Sequence, residues 1–310
     1  MKYQGIFSER AAPSKLMLTL ILILAGIFVF SLVGAGLIFV INPDIAMGVL
    51  GVSRDLSNPD TVNGLKLLQL MSSIGTFVFP AIFGAWLFSH NINQYLRLHR
   101  ISRASIIFSS MLIMFFSLPV INLIGAWNNA IEFPESIKFI EDWMRNLEMT
   151  NQRLIEAFLT MDSFGDFLFN LVLIAVVPAI GEELLFRGVI QKEFNQWIRN
   201  HHIAIWLTAA IFSAIHMQFL GFIPRLLMGA LFGYVLYWTG SLLLPILMHF
   251  INNATALTIV YFMELEMIPE STEDLGTAQD QWPLVALCVL VVGFMLFFIW
   301  KNKAQKKEAF

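Results

Sequence analysis

The chain has 310 residues, enough for one large or two ordinary soluble domains, but 57% are hydrophobic and only 13% charged. A soluble domain carries about 25% charged residues, so with a mean hydropathy of +0.72 this chain lacks the polar surface to face water. A formal net charge of −3 and a sequence pI near 6.1 exclude a nucleic-acid binder built on basic excess. A single cysteine, Cys288, excludes a disulfide framework or a thiolate zinc site within one chain.

A membrane span needs about 20 apolar residues. Uninterrupted runs at 16–41, 67–88, 104–127, 241–263 and 282–300 meet this, and three more at about 164–190, 203–219 and 222–239 carry polar interruptions. Thr239-Gly240-Ser241 and Pro245 break the long apolar stretch 226–263 into two helices. The first run is longer than the 7–15-residue core of a cleaved signal and is expected to be a retained span. The predicted fold is all-α: a polytopic transmembrane helix bundle of about eight spans. Three segments are expected, namely 1–163 with three spans and an outer amphipathic loop, a core at 164–263, and 264–310 with an acidic outer loop, a last span and a basic tail. No repeat of 20–50 residues and no low-complexity tract is evident.

Lysine and arginine in the loops set the orientation. With the N-terminus inside, the inner segments hold Lys2, Arg10, Lys15, Arg97, Arg100, Arg103, Arg187, Lys192, Arg199, Lys301, Lys303, Lys306 and Lys307. The outer segments hold Arg54, Lys138, Arg145 and Arg153, with Lys66 and Arg225 at outer helix ends. Both termini are therefore expected in the cytoplasm of a multi-pass protein of the cell membrane, with the lysine-rich tail as a topology anchor. Between 128 and 162, Ile137, Ile140, Trp143, Met144 and Leu147 recur at spacings of three and four. That pattern predicts an amphipathic helix lying on the outer surface and shielding the bundle, with a substrate-sensing lid as the other reading.

Ionisable groups inside hydrocarbon are expensive and point to function. The spans contain Asp166, Glu182, Glu183, Arg187, His216, Arg225 and His249. Asp166 and Arg225 lie near outer helix ends, where snorkelling makes them cheap, and are read as structural. From helical rise, Glu182 lies roughly 15 Å from the inner face, His249 roughly 12 Å and His216 roughly 20 Å. Three helices thus place these groups near the middle of a hydrocarbon layer about 30 Å thick. Arg187 follows Glu183 by four residues, the spacing of an ion pair on one helix face, which leaves Glu182 to face a cavity. His249 and Asn253, also four apart, present two hydrogen-bonding side chains to one spot, whereas Asn252 points off that face and is expected to bond a neighbouring helix. Phe212 stacks one turn before His216 and walls the pocket.

Glu182-Glu183-Leu184-Leu185-Phe186-Arg187 reads EExxxR, Phe212 to His216 reads FxxxH, and His249 to Asn253 reads HxxxN. In that order, on three hydrophobic helices, the set resembles the CPBP family of CAAX proteases and bacteriocin-processing enzymes, also called the Abi family, over about 164–258. The resemblance implies an intramembrane endopeptidase acting on membrane-associated peptides, prenylated CAAX-type or unmodified. It implies Glu182 as catalytic base, His216 holding the attacking water, and His249 with Asn253 as the oxyanion site. Glu183 and Arg187 take a supporting role. The chemistry is coherent, because peptide hydrolysis needs a base for water and donors for the developing oxyanion, here two neutral ones. The implied partners are a peptide or protein substrate at the membrane and the lipid bilayer, with no nucleic acid.

Other protease chemistries fail on inventory. An aspartyl type needs two membrane aspartates, a serine type a motif such as GxSxG, and Cys288 has no histidine in its segment. No cofactor is expected. Zinc is the alternative, with Glu182, His216 and His249 as its ligands, but HExxH is absent and Asn253 is suited to donating. A proton-coupled transporter also uses buried carboxylates and histidines, although no repeated halves are evident. A non-catalytic immunity or scaffold protein of the same fold is the third reading.

Overall fold

The computed structural model describes residues 3–51, 55–99 and 102–303. Lys2, Arg54, Arg100, Lys306 and Lys307 of the charge count lie outside them. The described chain is helical, with no strand among its described residues. The long helices are α1 (Ala12–Ile41), α2 (Pro59–Phe88), α3 (Ala104–Asn129), α4 (Lys138–Leu159), α5 (Phe164–Ile198), α6 (His201–Ala214), α7 (Phe222–Thr239), α8 (Leu243–Glu264) and α9 (Trp282–Lys301). Among the described residues seven are long and apolar enough to cross a membrane: all of these except α4 and α6. The protein is an all-α, multi-pass membrane bundle.

Local chemistry sets the helix ends. Asn42 closes α1 and accepts from the N–H groups of Asp44 and Ile45, starting a short helix at Pro43–Leu50. Gly240 ends α7 in the left-handed conformation (φ 70°), its N–H bonded to Leu236 O, which makes the expected break before Pro245. Ser163 opens α5 by accepting from Asp166 N–H, so Asp166 belongs to the helix cap.

The expected span at 203–219 is shorter than the sequence suggests. Helix α6 starts at an Asn200 cap and stops at Ala214, about 21 Å of rise against a hydrocarbon layer of about 30 Å. The chain then turns back, with Met217 at a left-handed φ of 52° and the Ser213 hydroxyl donating to Phe222 O. His216 therefore sits in a turn beyond the helix. Apolar content alone could not show this, because Phe219, Leu220 and Phe222 continue the hydrophobic run after the reversal.

Three stretches widen into π-helical turns: 74–78 in α2, and 171–176 and 186–190 in α5. Two of them end two residues before a proline, Pro80 and Pro178. A proline inside a helix removes one N–H and crowds the carbonyl four residues back, and a wider turn relieves the crowding.

Two packing modes join the helices. Helices α1 and α2 cross at Gly26 and Gly75, and a Cβ on either would fall on the carbonyl oxygen of the other. Around α5 the core is made of side chains, with Leu184, Leu185, Phe186 and Val189 buried against Ala81, Ala85, Phe88 and Phe212. A second cluster packs α3, α7, α8 and α9 through Ile113, Phe232, Val235, Met248 and Ile299. At one end of the bundle Gly5 and Phe7 N–H bond to Trp86 and Leu87 carbonyls, Lys192 to Tyr95 O, and Leu242 N–H to Arg97 O. Another set of loops joins Asn122 to Glu273 and Leu275, and Asn128 to Phe219 and Ile223. The loops thus form two separate hydrogen-bonded groups.

Helix α4 occupies the expected amphipathic segment. Its start is held by Glu141, which accepts from Phe133 N–H and pairs with Arg145, and Trp143 packs on Phe219. Phe133 N–H and Arg145 hold the Glu141 carboxyl below the usual glutamate range. Its end is fixed by Asn170, whose amide donates to Phe158 O.

Candidate active site

A cavity of about 730 Å³ opens inside the bundle, bounded by α2, α4, α5, α7, α8 and the turn after α6. Glu182, His216, His249 and Asn253 line it, together with Phe212, Phe232, Asn252 and Arg225. Residues up to 71 apart in sequence thus share one space.

Helix α5 brings the two glutamates in at its most buried stretch. Gly181 lets this happen, since a Cβ there would press on Phe77 and Val78 of α2 at 3.0 Å. Glu183 is fully buried and its Oε1 lies 2.9 Å from Arg187 Nη1, the expected i, i+4 ion pair. That approach lies off the N–H direction, so it acts as a charge contact and not as a directed hydrogen bond. The guanidinium also donates through Nη2 to Gly229 O at 3.2 Å and lies 4.4 Å from the Phe212 ring centre. Arg187 thereby joins α5, α6 and α7.

The same Glu183 oxygen is 3.0 Å from His249 Nδ1. An ionised carboxylate only accepts, so Nδ1 carries the proton and Nε2 is the atom left for the cavity. A neutral His249 then presents a lone pair at Nε2 and donates there only when the ring holds both protons. The expectation of a neutral His249 donor does not fit this partner. Sequence reasoning missed the contact because the two residues are 66 apart and on different helices. Phe232 stacks on the His249 ring at 5.6 Å, and Phe212 meets it edge-on at 6.1 Å.

Glu182 is 7% exposed and faces the cavity. Its Oε2 has no hydrogen-bond partner among the described residues and lies 3.9 Å from His249 Nε2. That separation is too long for a hydrogen bond. His216 Nδ1 lies 2.8 Å from Phe212 O, so it donates there and a neutral ring keeps its lone pair on Nε2. Phe212 packs edge-on against the ring at 5.1 Å, the wall its spacing predicts.

Both asparagines line the cavity, Asn252 contrary to expectation. Asn253, not Asn252, bonds the neighbouring helix, its Nδ2 donating to Ile174 O at 3.0 Å. Asn252 lines the cavity and donates to Asn253 Oδ1 at 3.1 Å. Arg225, read as a snorkelling residue, also lines the cavity, held by the Gln218 carbonyl and side chain. The second half of α4 contributes Asn151, Leu154, Ile155 and Phe158 to the wall. Amphipathic spacing marks that helix but not the cavity it covers.

Glu182, His216 and His249 are the candidate zinc ligands. Glu182 and His249 approach each other, but among the described residues no three His, Cys, Asp or Glu side chains converge as one ion requires. His249 gives Nδ1 to a carboxylate, as a metal-bound histidine does, yet the third ligand is not brought in. As arranged, the set does not fit a bound metal, and no step is derived through one.

Fold and site together define a class: polytopic membrane proteins with an ionisable, hydrogen-bonding cavity inside the bundle. Within that class, residues 164–255 match the family described as type II CAAX prenyl endopeptidase Rce1-like. This agrees with the CPBP resemblance of the three motifs. The chain is also similar to the uncharacterized protein YpbD of Bacillus subtilis (strain 168), 34% identical over 89 residues, which span 27% of this chain and 42% of that protein. The chain thus spans less than half the length of this curated relative. No solved structure matches it.

Proposed function

We propose that the protein is an intramembrane endopeptidase of the CAAX-protease kind, hydrolysing a peptide bond of a membrane-associated substrate with water activated by Glu182. The single observation that carries this reading is the buried Glu182, whose Oε2 is unpartnered among the described residues and whose side chain lines a cavity shared with His216, His249 and Asn253. A carboxylate oxygen that no side chain or backbone N–H engages is left to take a proton from water, as a general base does.

In this reading water donates one proton toward Glu182 while His216 Nε2 or His249 Nε2 accepts its other hydrogen. The water oxygen bonds to the scissile carbonyl carbon, the proton passes to Glu182, and the carbonyl oxygen becomes an oxyanion. Asn253 Nδ2 has a second N–H beyond the one given to Ile174, and that hydrogen meets the oxyanion. Where the His249 ring enters already doubly protonated, with Glu183 balancing the charge, its Nε2–H is a second donor to the oxyanion and His216 Nε2 alone accepts the water hydrogen. The C–N bond then breaks and the amine leaves with the proton held by Glu182. Glu183, Arg187 and Phe212 hold these groups in place without touching substrate.

The substrate reading is a peptide anchored at the bilayer, CAAX-type or unmodified, in a protein of the cell membrane with both termini cytoplasmic. Comparing the proteomes of cells carrying wild-type protein or Glu182→Gln tests it. An uncleaved membrane peptide should accumulate in the variant, and identical proteomes would count against proteolysis. Tag accessibility that placed 264–281 in the cytoplasm would overturn the orientation.

A further inference from the structure

We infer that Pro178 and Asn252 are positioning residues that aim the Asn253 carboxamide, with Pro178 acting by leaving a backbone carbonyl open for it. In an uninterrupted α-helix the Ile174 carbonyl would accept from the N–H of residue 178, four positions on. Residue 178 is proline and has no N–H. Asn253 Nδ2 on α8 takes that place, 3.0 Å from Ile174 O. In a bilayer the carbonyl freed by a proline must find a substitute donor, and here a neighbouring helix supplies it.

The other end of the carboxamide is held as well. Asn253 Oδ1 accepts from Asn252 Nδ2 at 3.1 Å. With the oxygen taken by Asn252 and one N–H by Ile174, the amide plane is fixed in its sense and cannot turn over without breaking both bonds. One N–H is left, and its direction is set by two residues that need not touch substrate. The π-turn at 171–176 places Ile174 and Pro178 on the same cavity wall as Glu182. A proline in the middle of a membrane helix thus contributes to the site while weakening its own helix.

That opposition of sign makes the inference testable. Pro178→Ala restores an N–H aimed at Ile174 O, which competes with Asn253. A merely structural proline would give correlated changes, whereas a positioning proline gives opposed ones. The first test is a double-mutant cycle in melting temperature on the purified full chain in detergent, which needs no substrate. Asn253→Ala strands a buried carbonyl in the wild-type background and should lower the melting temperature by about 2–4 °C. In the Pro178→Ala background the helix satisfies its own carbonyl, so the same change should lower it much less. Equal losses in both backgrounds would overturn the inference, whatever the protein hydrolyses.

The second test rests on the protease reading and uses a quenched fluorescent farnesylated CAAX peptide, or the peptide identified by the proteomic comparison if this probe is not cleaved. Pro178→Ala should reduce kcat about tenfold, equivalent to about 1.4 kcal/mol, with KM little changed and a melting temperature no lower than wild type. In the Asn253→Ala background it should reduce kcat no further. Asn252→Ala should lower kcat in the same way and Asn252→Gln should recover part of the loss. A wild-type kcat in Pro178→Ala, or a loss that simply follows lowered stability, would contradict the assignment. Failure of every variant and the wild type to cleave any peptide would instead sink the protease reading and leave the stability cycle to decide the carbonyl contact.

Discussion

Helix α1 and the middle of α5 both belong to apolar membrane helices, yet they are held in opposite ways. Between Ala12 and Ile41 the outward residues Leu24, Phe28, Leu32 and Val40 stay open, and the helix docks by backbone approach at Gly26. Between Gly181 and Ile190 every residue is buried, and the helix docks through charge, with Glu183 shared by Arg187 and His249. Lipid is as apolar as a leucine face, so α1 has nothing to gain from side-chain burial and uses close packing. Helix α5 carries a carboxylate pair and a guanidinium that hydrocarbon would reject, so its place in the bundle depends on mutual neutralisation. A chemical site needs the second arrangement, because only it holds ionised groups in a dry place.

Breaking the charged arrangement should have the largest effect on folding. Arg187→Ala leaves Glu183 without its cation and is expected to lower stability by about 3–5 kcal/mol, read as a lower melting temperature in detergent. Removing the donor that Ile174 and Asn252 hold should act mainly on chemistry. Asn253→Ala is expected to slow turnover by about 10²-fold with substrate binding little changed. If zinc supplied the Lewis acid, Asn253 would matter far less, and stoichiometric zinc with activity lost on chelation and restored by adding it back would replace the water-only scheme. Breaking the glycine crossing should unseat α1 without touching the site. Gly26→Val forces backbone apart and is expected to cost about 1–3 kcal/mol, while folded protein keeps its turnover.

The smallest effect lies outside the bundle, at the start of α4. Phe133 N–H and Arg145 hold the Glu141 carboxyl below its usual range. A lowered folded value stabilises the fold above the ordinary glutamate pKa and is lost as pH falls through the folded value. Melting curves from pH 6 downward, spanning about pH 4.3, should show a small acid-side loss that Glu141→Gln removes.

Local spacing made much of this readable. The i, i+4 rule gave the Glu183–Arg187 pair, the helix-breaking triplet at Gly240 gave the end of α7, and periodicity gave α4. The gathering of Glu182, His216, His249 and Asn253 was expected from motif order and estimated depth, and one cavity holds them. What could not be read depends on contacts between distant segments. The Glu183–His249 bond has no local signature, and neither has the bond from Asn253 to the Ile174 carbonyl on another helix. Helix α6 stops early because of a reversal at Met217 within a continuing apolar run. A long apolar stretch reports that a segment avoids water, not where it turns.

The central claim is that Glu182 works on water while its neighbour Glu183 holds the site together. Purified Glu182→Gln and Glu183→Gln, each measured for peptide hydrolysis and for melting temperature, test it side by side. Glu182→Gln should melt as wild type does while losing the 10²–10⁴-fold typical of a general base, and Glu183→Gln should melt markedly lower. Wild-type hydrolysis by a well-folded Glu182→Gln, or the two patterns reversed between the glutamates, would contradict the account.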